Sequence, residues 1–162
     1  MRSLFKKSLI VTALLMVAVY AFPKGDALAG GATGKNPAVT LNLLVGDLDR
    51  GELEVDFKLG DKMSLAPRLF SDFDWYNGLG ASLRFGIAGG KRPHGLWVGP
   101  SLEFIFWDTI FKKSTQITLA GEFGWRYTLD FGLTLQPLIR IGFGSGGIDL
   151  YGQAGAGIGY AF

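Results

Sequence analysis

The chain has 162 residues, a formal net charge of +2, 25 glycines, 14% aromatic residues and no cysteine. That length fits one domain, and the missing cysteine excludes a disulfide framework, a thiolate metal site and a lipid-modified N-terminal cysteine. The slight positive charge belongs to the N-terminal segment, so it supports no nucleic-acid role, and the glycines lack the Gly-X-Y period of collagen.

Residues 1–7 carry Arg2, Lys6 and Lys7, residues 8–22 are almost wholly apolar, and Ala27-Leu28-Ala29 precedes Gly30. This is the order of a secretory signal peptide, 1–29, with cleavage after Ala29. The apolar run is shorter than the roughly 20 residues of a spanning helix; an uncleaved N-terminal anchor is the alternative. Cleavage leaves 133 residues (162 less 29), with 12 basic side chains (16 less 4) and 13 acidic ones (14 less 1). Residues 30–38 read as a flexible lead-in, and residues 39–162 as the folded domain.

A period-2 alternation then recurs eight times, the signature of strands that point successive side chains to opposite faces. Strands are predicted at 39–46, 51–60, 63–69, 79–88, 96–106, 116–128, 133–143 and 150–162. The second is the clearest: Leu53, Val55, Phe57 and Leu59 alternate with Glu52, Glu54, Asp56 and Lys58. Residues 70–78 are predicted as a loop ending in the turn signal Asn77-Gly78, and residues 47–50 as a turn. The last strand presents Gly155, Gly157 and Gly159 on its polar face, a spacing expected to leave room for long arginines.

Collected across strands, the polar face holds Glu52, Glu54, Asp56, Glu103 and Glu122 with Lys58, Arg68, Arg84, Arg126 and Arg140, while the opposite face carries no charge. In a soluble barrel the bulky face, with Phe57, Phe85, Phe104, Phe106, Phe123, Trp125, Tyr127 and Phe143, would have to fill the lumen. An eight-stranded lumen is only just wide enough for side chains. Turned inside out, the pattern describes an all-β, eight-stranded antiparallel up-and-down transmembrane β-barrel with an apolar belt and a polar lumen. With both chain ends periplasmic, the lead-in is periplasmic as well, and the aromatics sort into two girdles. Trp125, Tyr127, Tyr160 and Phe162 fall at one end, and Phe104, Phe106 and Phe143 at the other. Pro67, Pro100 and Pro137 each sit five residues after a turn residue (Lys62, Gly95, Gly132) on the outward face, which reads as a repeated hairpin unit or a bulge device.

The ending 155–162 closes on an aromatic, with Ile158, Tyr160 and Phe162 outward at alternate positions. It resembles the C-terminal signal read by the barrel-assembly machinery. On this ending and on segments such as 61–65 and 95–100, the chain resembles the small bacterial outer-membrane β-barrel family, similar in size to the OmpA transmembrane domain and to OmpX. The resemblance implies a Gram-negative outer-membrane location, surrounding lipid and lipopolysaccharide, the assembly machinery as a partner in biogenesis, and a monomer without cofactor. The long loops of OmpX-like adhesins are missing.

Charges in a narrow lumen must pair or neutralise, so five acids and five bases predict a mutually satisfied plug; the alternatives are a narrow channel for small solutes or lipids and a secreted soluble ligand-binding barrel. Barrels resembling this one modify lipid A with a histidine base. The single histidine, His94, falls instead on the periplasmic turn 89–95, so no enzyme activity is expected. The outer connections hold Asp47, Asp49, Asp72, Asp74, Asp108 and Asp149 against Arg50, Lys112 and Lys113. They read as ordinary turn formers rather than as ligands for Ca²⁺ or Mg²⁺, and no metal site is predicted. Phe73, Trp75 and Tyr76 read equally as partner contacts or as an extension of the girdle.

Overall fold

The computed structural model describes residues 37–88, 95–108, 113–129, 131–145 and 150–162. The expected signal segment 1–29, most of the lead-in and His94 lie outside the described residues.

Eight strands follow in order: β1 (Ala38–Gly46), β2 (Arg50–Lys58), β3 (Met63–Ser71), β4 (Tyr76–Ala88), β5 (Gly95–Asp108), β6 (Lys113–Thr128), β7 (Leu133–Gly144) and β8 (Tyr151–Ala161). Each pairs antiparallel with the next, and β8 closes on β1 from Ala38↔Ala161 to Gly46↔Gln153. Closure leaves no sheet edge, so the ladder satisfies the backbone wherever it runs. The strand ends at Ala38, Lys58, Met63, Ala88, Gly95, Thr128, Leu133 and Ala161 define one end of the barrel, called the terminal end below. The strand ends at Gly46, Arg50, Ser71, Tyr76, Asp108, Lys113, Gly144 and Tyr151 define the far end.

The alternation sets the two surfaces. No described outward side chain of the eight strands is charged, and large apolar residues such as Leu43, Ile139, Phe123 and Ile158 are exposed. All ten charged side chains that are buried point inward.

Two expectations are corrected. The loop predicted at 70–78 shrinks to 72–75, with Phe70 and Tyr76 in strands and Asn77-Gly78 paired with Ser71 and Phe70. The turn is made by Asp72, whose Oδ1 accepts the N–H groups of Asp74, Trp75 and Tyr76 at 2.8–2.9 Å, while Phe73 takes φ = +69°. An aspartate that caps three amides fixes a turn more firmly than Asn-Gly two residues later. The lead-in ends one residue earlier than expected, because Ala38 already pairs with Asp56 and Ala161.

The three prolines share one consequence. The β2–β3 ladder stops at Glu54↔Arg68 and resumes at Phe57↔Leu65, skipping the level of Pro67. The β4–β5 ladder skips from Ser82↔Ser101 to Phe85↔Val98 at Pro100, and β6–β7 from Gly124↔Leu138 to Tyr127↔Leu135 at Pro137. A proline has no N–H to donate, and in each terminal-end hairpin two successive register pairs are missing at its level. On its other side each proline stays in register opposite a small residue: Ala81, Gly121 or Ala156.

Candidate functional site: the lumen

The inward face of β2 places Arg50, Glu52, Glu54 and Asp56 in a row, and the facing wall supplies Arg68, Arg84, Glu103, Glu122, Arg126 and Arg140 from β3 to β7. Arg50 holds Glu52 and Glu103, each at 2.6 Å. Arg140 reaches Glu52 at 2.6 Å, Glu122 at 2.8 Å and Glu103 at 3.3 Å. Arg68 lies 2.5 Å from Glu122 and 3.2 Å from Glu103. Nearer the terminal end, Arg84 binds Glu54 through two nitrogens at 2.5 and 2.7 Å, with Asp56 at 3.0 Å. Arg126 meets Asp56 at 3.0 Å and Glu54 at 3.4 Å, and also donates to Gln136. Every acid therefore touches at least two arginines and every arginine at least two acids. Such pairing is what keeps buried charge tolerable, since an unpaired ion in a medium of low polarity costs several kcal/mol.

Membership differs from the sequence expectation at two positions. Lys58 lies on the inward face of β2, but the strand ends there; its ammonium sits at the terminal mouth, partly exposed, 3.3 Å from Asp61. Arg50, expected in a turn, takes its place in the network, so five acids and five arginines remain. The other nine predicted charges converge in the lumen.

Apolar inward residues complete the filling. At the far end Leu48, Phe70, Tyr76, Ile105, Ala120 and Tyr151 cluster, with Trp107 against them, and the Arg50 guanidinium stacks 4.0 Å above the Phe70 ring. Midway, Leu44, Trp97 and Leu138 meet across the lumen, and Arg84 stacks 4.0 Å from the Trp97 ring. These stacks add a cation–π attraction to the ion pairs. Three inward rings each lie across the glycine directly opposite on a neighbouring strand: Phe70 on Gly78, Trp97 on Gly124 and Tyr151 on Gly142. A Cβ at Gly124 would stand 2.7 Å from Trp97 Cε2, and one at Gly142 would stand 2.8 Å from Tyr151 Cε1. Gly157 faces inward as expected, but its space is taken by Thr40 and Asn42 of β1 rather than by arginines.

The far mouth is covered by the connection between β1 and β2. Their ladder ends at Leu44↔Arg50, and Val45 and Gly46 pair with β8 instead. The tip leans over the lumen with Leu48 buried in the aromatic cluster. Tyr76 Oη donates to the Asp49 carbonyl at 2.9 Å, and Gln153 Nε2 donates to the Leu48 carbonyl.

Three of the far-end aspartates are occupied in turns. Asp47 accepts from Gly152 N at 2.7 Å and Asp49 from Gly46 N at 2.7 Å, as Asp72 does for its own loop. Among the described residues no three His, Cys, Asp or Glu side chains gather as metal ligands do. Phe73 folds its ring over Gly51, and Trp75 is exposed beside it. The predicted terminal-end aromatics Trp125, Tyr127, Tyr160 and Phe162 are outward and exposed, with Tyr160 and Phe162 edge to face at 5.2 Å.

No protein-family model matches the chain, and no curated protein matches its sequence. Solved structures do match. Neisserial surface protein A is 16% identical with a TM-score of 0.51, over 78% of this chain and 94% of that one. The N-terminal β-barrel domain of Pseudomonas aeruginosa OprF is 12% identical with a TM-score of 0.52, over 79% of this chain and 100% of that domain. The fold is that of the small eight-stranded outer-membrane β-barrels. At these identities the likeness concerns the fold and carries no ligand or partner with it.

Proposed function

We propose that the chain is an integral outer-membrane barrel whose lumen is closed by its own ion pairs, with a structural or surface-presenting role and no catalytic step. The observation that carries this reading is the inverted partition: a neutral, fully paired charge network inside, and an uncharged apolar belt outside. In water such a belt would be a large exposed apolar surface; against hydrocarbon it is the favourable one. A soluble ligand-binding barrel would need the reverse. The chain is exported by residues 1–29, inserts as a monomer among lipid and lipopolysaccharide, and shows Ile158, Tyr160 and Phe162 to the assembly machinery. The far end faces outward.

The test is outer-membrane fractionation with heat-modifiable migration in detergent gels, N-terminal sequencing of the exported protein, and planar-bilayer recording. The expected results are a heat-modifiable outer-membrane band, a mature N-terminus at Gly30, and no steady conductance. A mature chain that stays soluble without detergent overturns the membrane reading. A reproducible channel abolished by Arg126→Ala or Glu122→Ala overturns the closed lumen in favour of a narrow pore.

A further inference from the structure

We propose that residues 47–49 form a hinged lid on the outer mouth of the lumen, with Leu48 as its stopper and Tyr76 and Gln153 as its latches. The tip is detached from its own hairpin, because the β1–β2 ladder ends at Leu44↔Arg50. What holds it lies elsewhere: Asp47 on the Gly152 backbone of β8, and two side-chain donors on the carbonyls of Leu48 and Asp49. Neither latch belongs to a ladder, so both can release without breaking a strand pair. Gly46 supplies the hinge. Its φ of +143° is one that L side chains rarely adopt, and a Cβ there would run into the Gly152 carbonyl.

Beneath the stopper lie Ile105, which is fully buried, and then the Arg50–Glu103 pair that begins the charge network. Swinging Leu48 and Asp49 away, with Asp47 left on Gly152, would open that pair to the outer solvent. The lid therefore controls solvent access to the network from that mouth. That the lidded mouth faces outward rests on the proposed outer-membrane orientation; the lid itself does not.

The cysteine-free chain allows a clean test. Ile105→Cys is placed in the refolded barrel in detergent and exposed to a membrane-impermeant maleimide, with Leu138→Cys as a reporter in the lower cluster. With the latches intact both thiols react slowly. Adding Tyr76→Phe and Gln153→Leu removes both latches, and labelling at position 105 should rise about tenfold, as expected for two lost hydrogen bonds of ordinary net strength, with position 138 unchanged. Equal labelling at 105 with and without latches overturns the lid, as does an equal rise at 138, which signals general loosening. Should the double variant lose its heat-modifiable band, Tyr76→Phe alone is read in the same way with a smaller rise. Failure of the lid appears in labelling, whereas failure of the closed lumen appears in conductance.

Discussion

Glu122 sits where the network is densest, 2.5 Å from Arg68, 2.8 Å from Arg140 and 3.4 Å from Arg84. Glu122→Gln keeps the shape and one acceptor oxygen but leaves five buried arginines facing four acids. Breaking one side of a buried pair costs about 3–5 kcal/mol; the retained acceptor places this variant near the lower figure, about 3 kcal/mol. Arg140→Met should cost a similar amount alone, since it leaves five acids facing four arginines and takes one partner each from Glu52, Glu103 and Glu122. In Glu122→Gln/Arg140→Met the balance returns to four and four, and Arg50 and Arg68 still serve Glu52 and Glu103. The double variant should therefore recover about 1–3 kcal/mol relative to the sum of the singles. Urea refolding titrations in lipid vesicles, followed by tryptophan fluorescence and gel mobility, measure all three. Singles that cost under about 1 kcal/mol, or costs that add to within about 0.5 kcal/mol, would refute the idea that neutrality of the lumen holds the barrel.

Other outcomes follow from the wall. Val55 points outward between Val39 and Pro67, so Val55→Arg should cost about 2–4 kcal/mol in the same titration if it meets the bilayer midplane; no loss would move it out of the belt. Pro100→Val restores a donor to the β4–β5 ladder and should add on the order of 1 kcal/mol, read as a raised urea midpoint and slower amide exchange at Leu83. Gly124→Val drives a side chain into the Trp97 ring and should cost about 1–3 kcal/mol, with a shifted tryptophan emission; an unchanged spectrum would mean that the ring does not lie where the structure puts it.

The sequence makes the face of a residue legible but not its depth. Alternation in 51–60 marks Glu52, Glu54, Asp56 and Lys58 as one row, and all four do point inward. Only the strand's end, set by the turn at Leu59 and Gly60 on the Met63 carbonyl, tells that Lys58 belongs to the mouth. The same parity run backwards from Glu52 reaches Arg50, a signal obscured by the turn-forming aspartates beside it. Trp97, Ile105, Leu138 and Tyr151 were illegible for another reason. They are inward by parity, but their chemistry matches the belt, and only the glycines opposite three of the inward rings hint that bulky groups lie on that side. The loop at 70–78 was misjudged because Asp72 can satisfy three amides at once, an arrangement that composition does not reveal.

The distribution of charge along the chain bears on how the cylinder closes. Arg50, Arg68 and Arg84 match Glu52, Glu54 and Asp56 within β1–β4, and Arg126 and Arg140 match Glu103 and Glu122 within β5–β8, so the buried charge of each half balances by itself. Yet many of the close pairs cross between halves: Arg50 with Glu103, Arg68 with Glu122, Arg140 with Glu52, Arg126 with Asp56. The first and last strands, β1 and β8, whose pairing closes the cylinder, contribute no buried charge at all. A chain built this way can bring two self-balanced curved sheets together, exchange partners at the moment of docking, and zip an uncharged seam without stripping water from an ion along it.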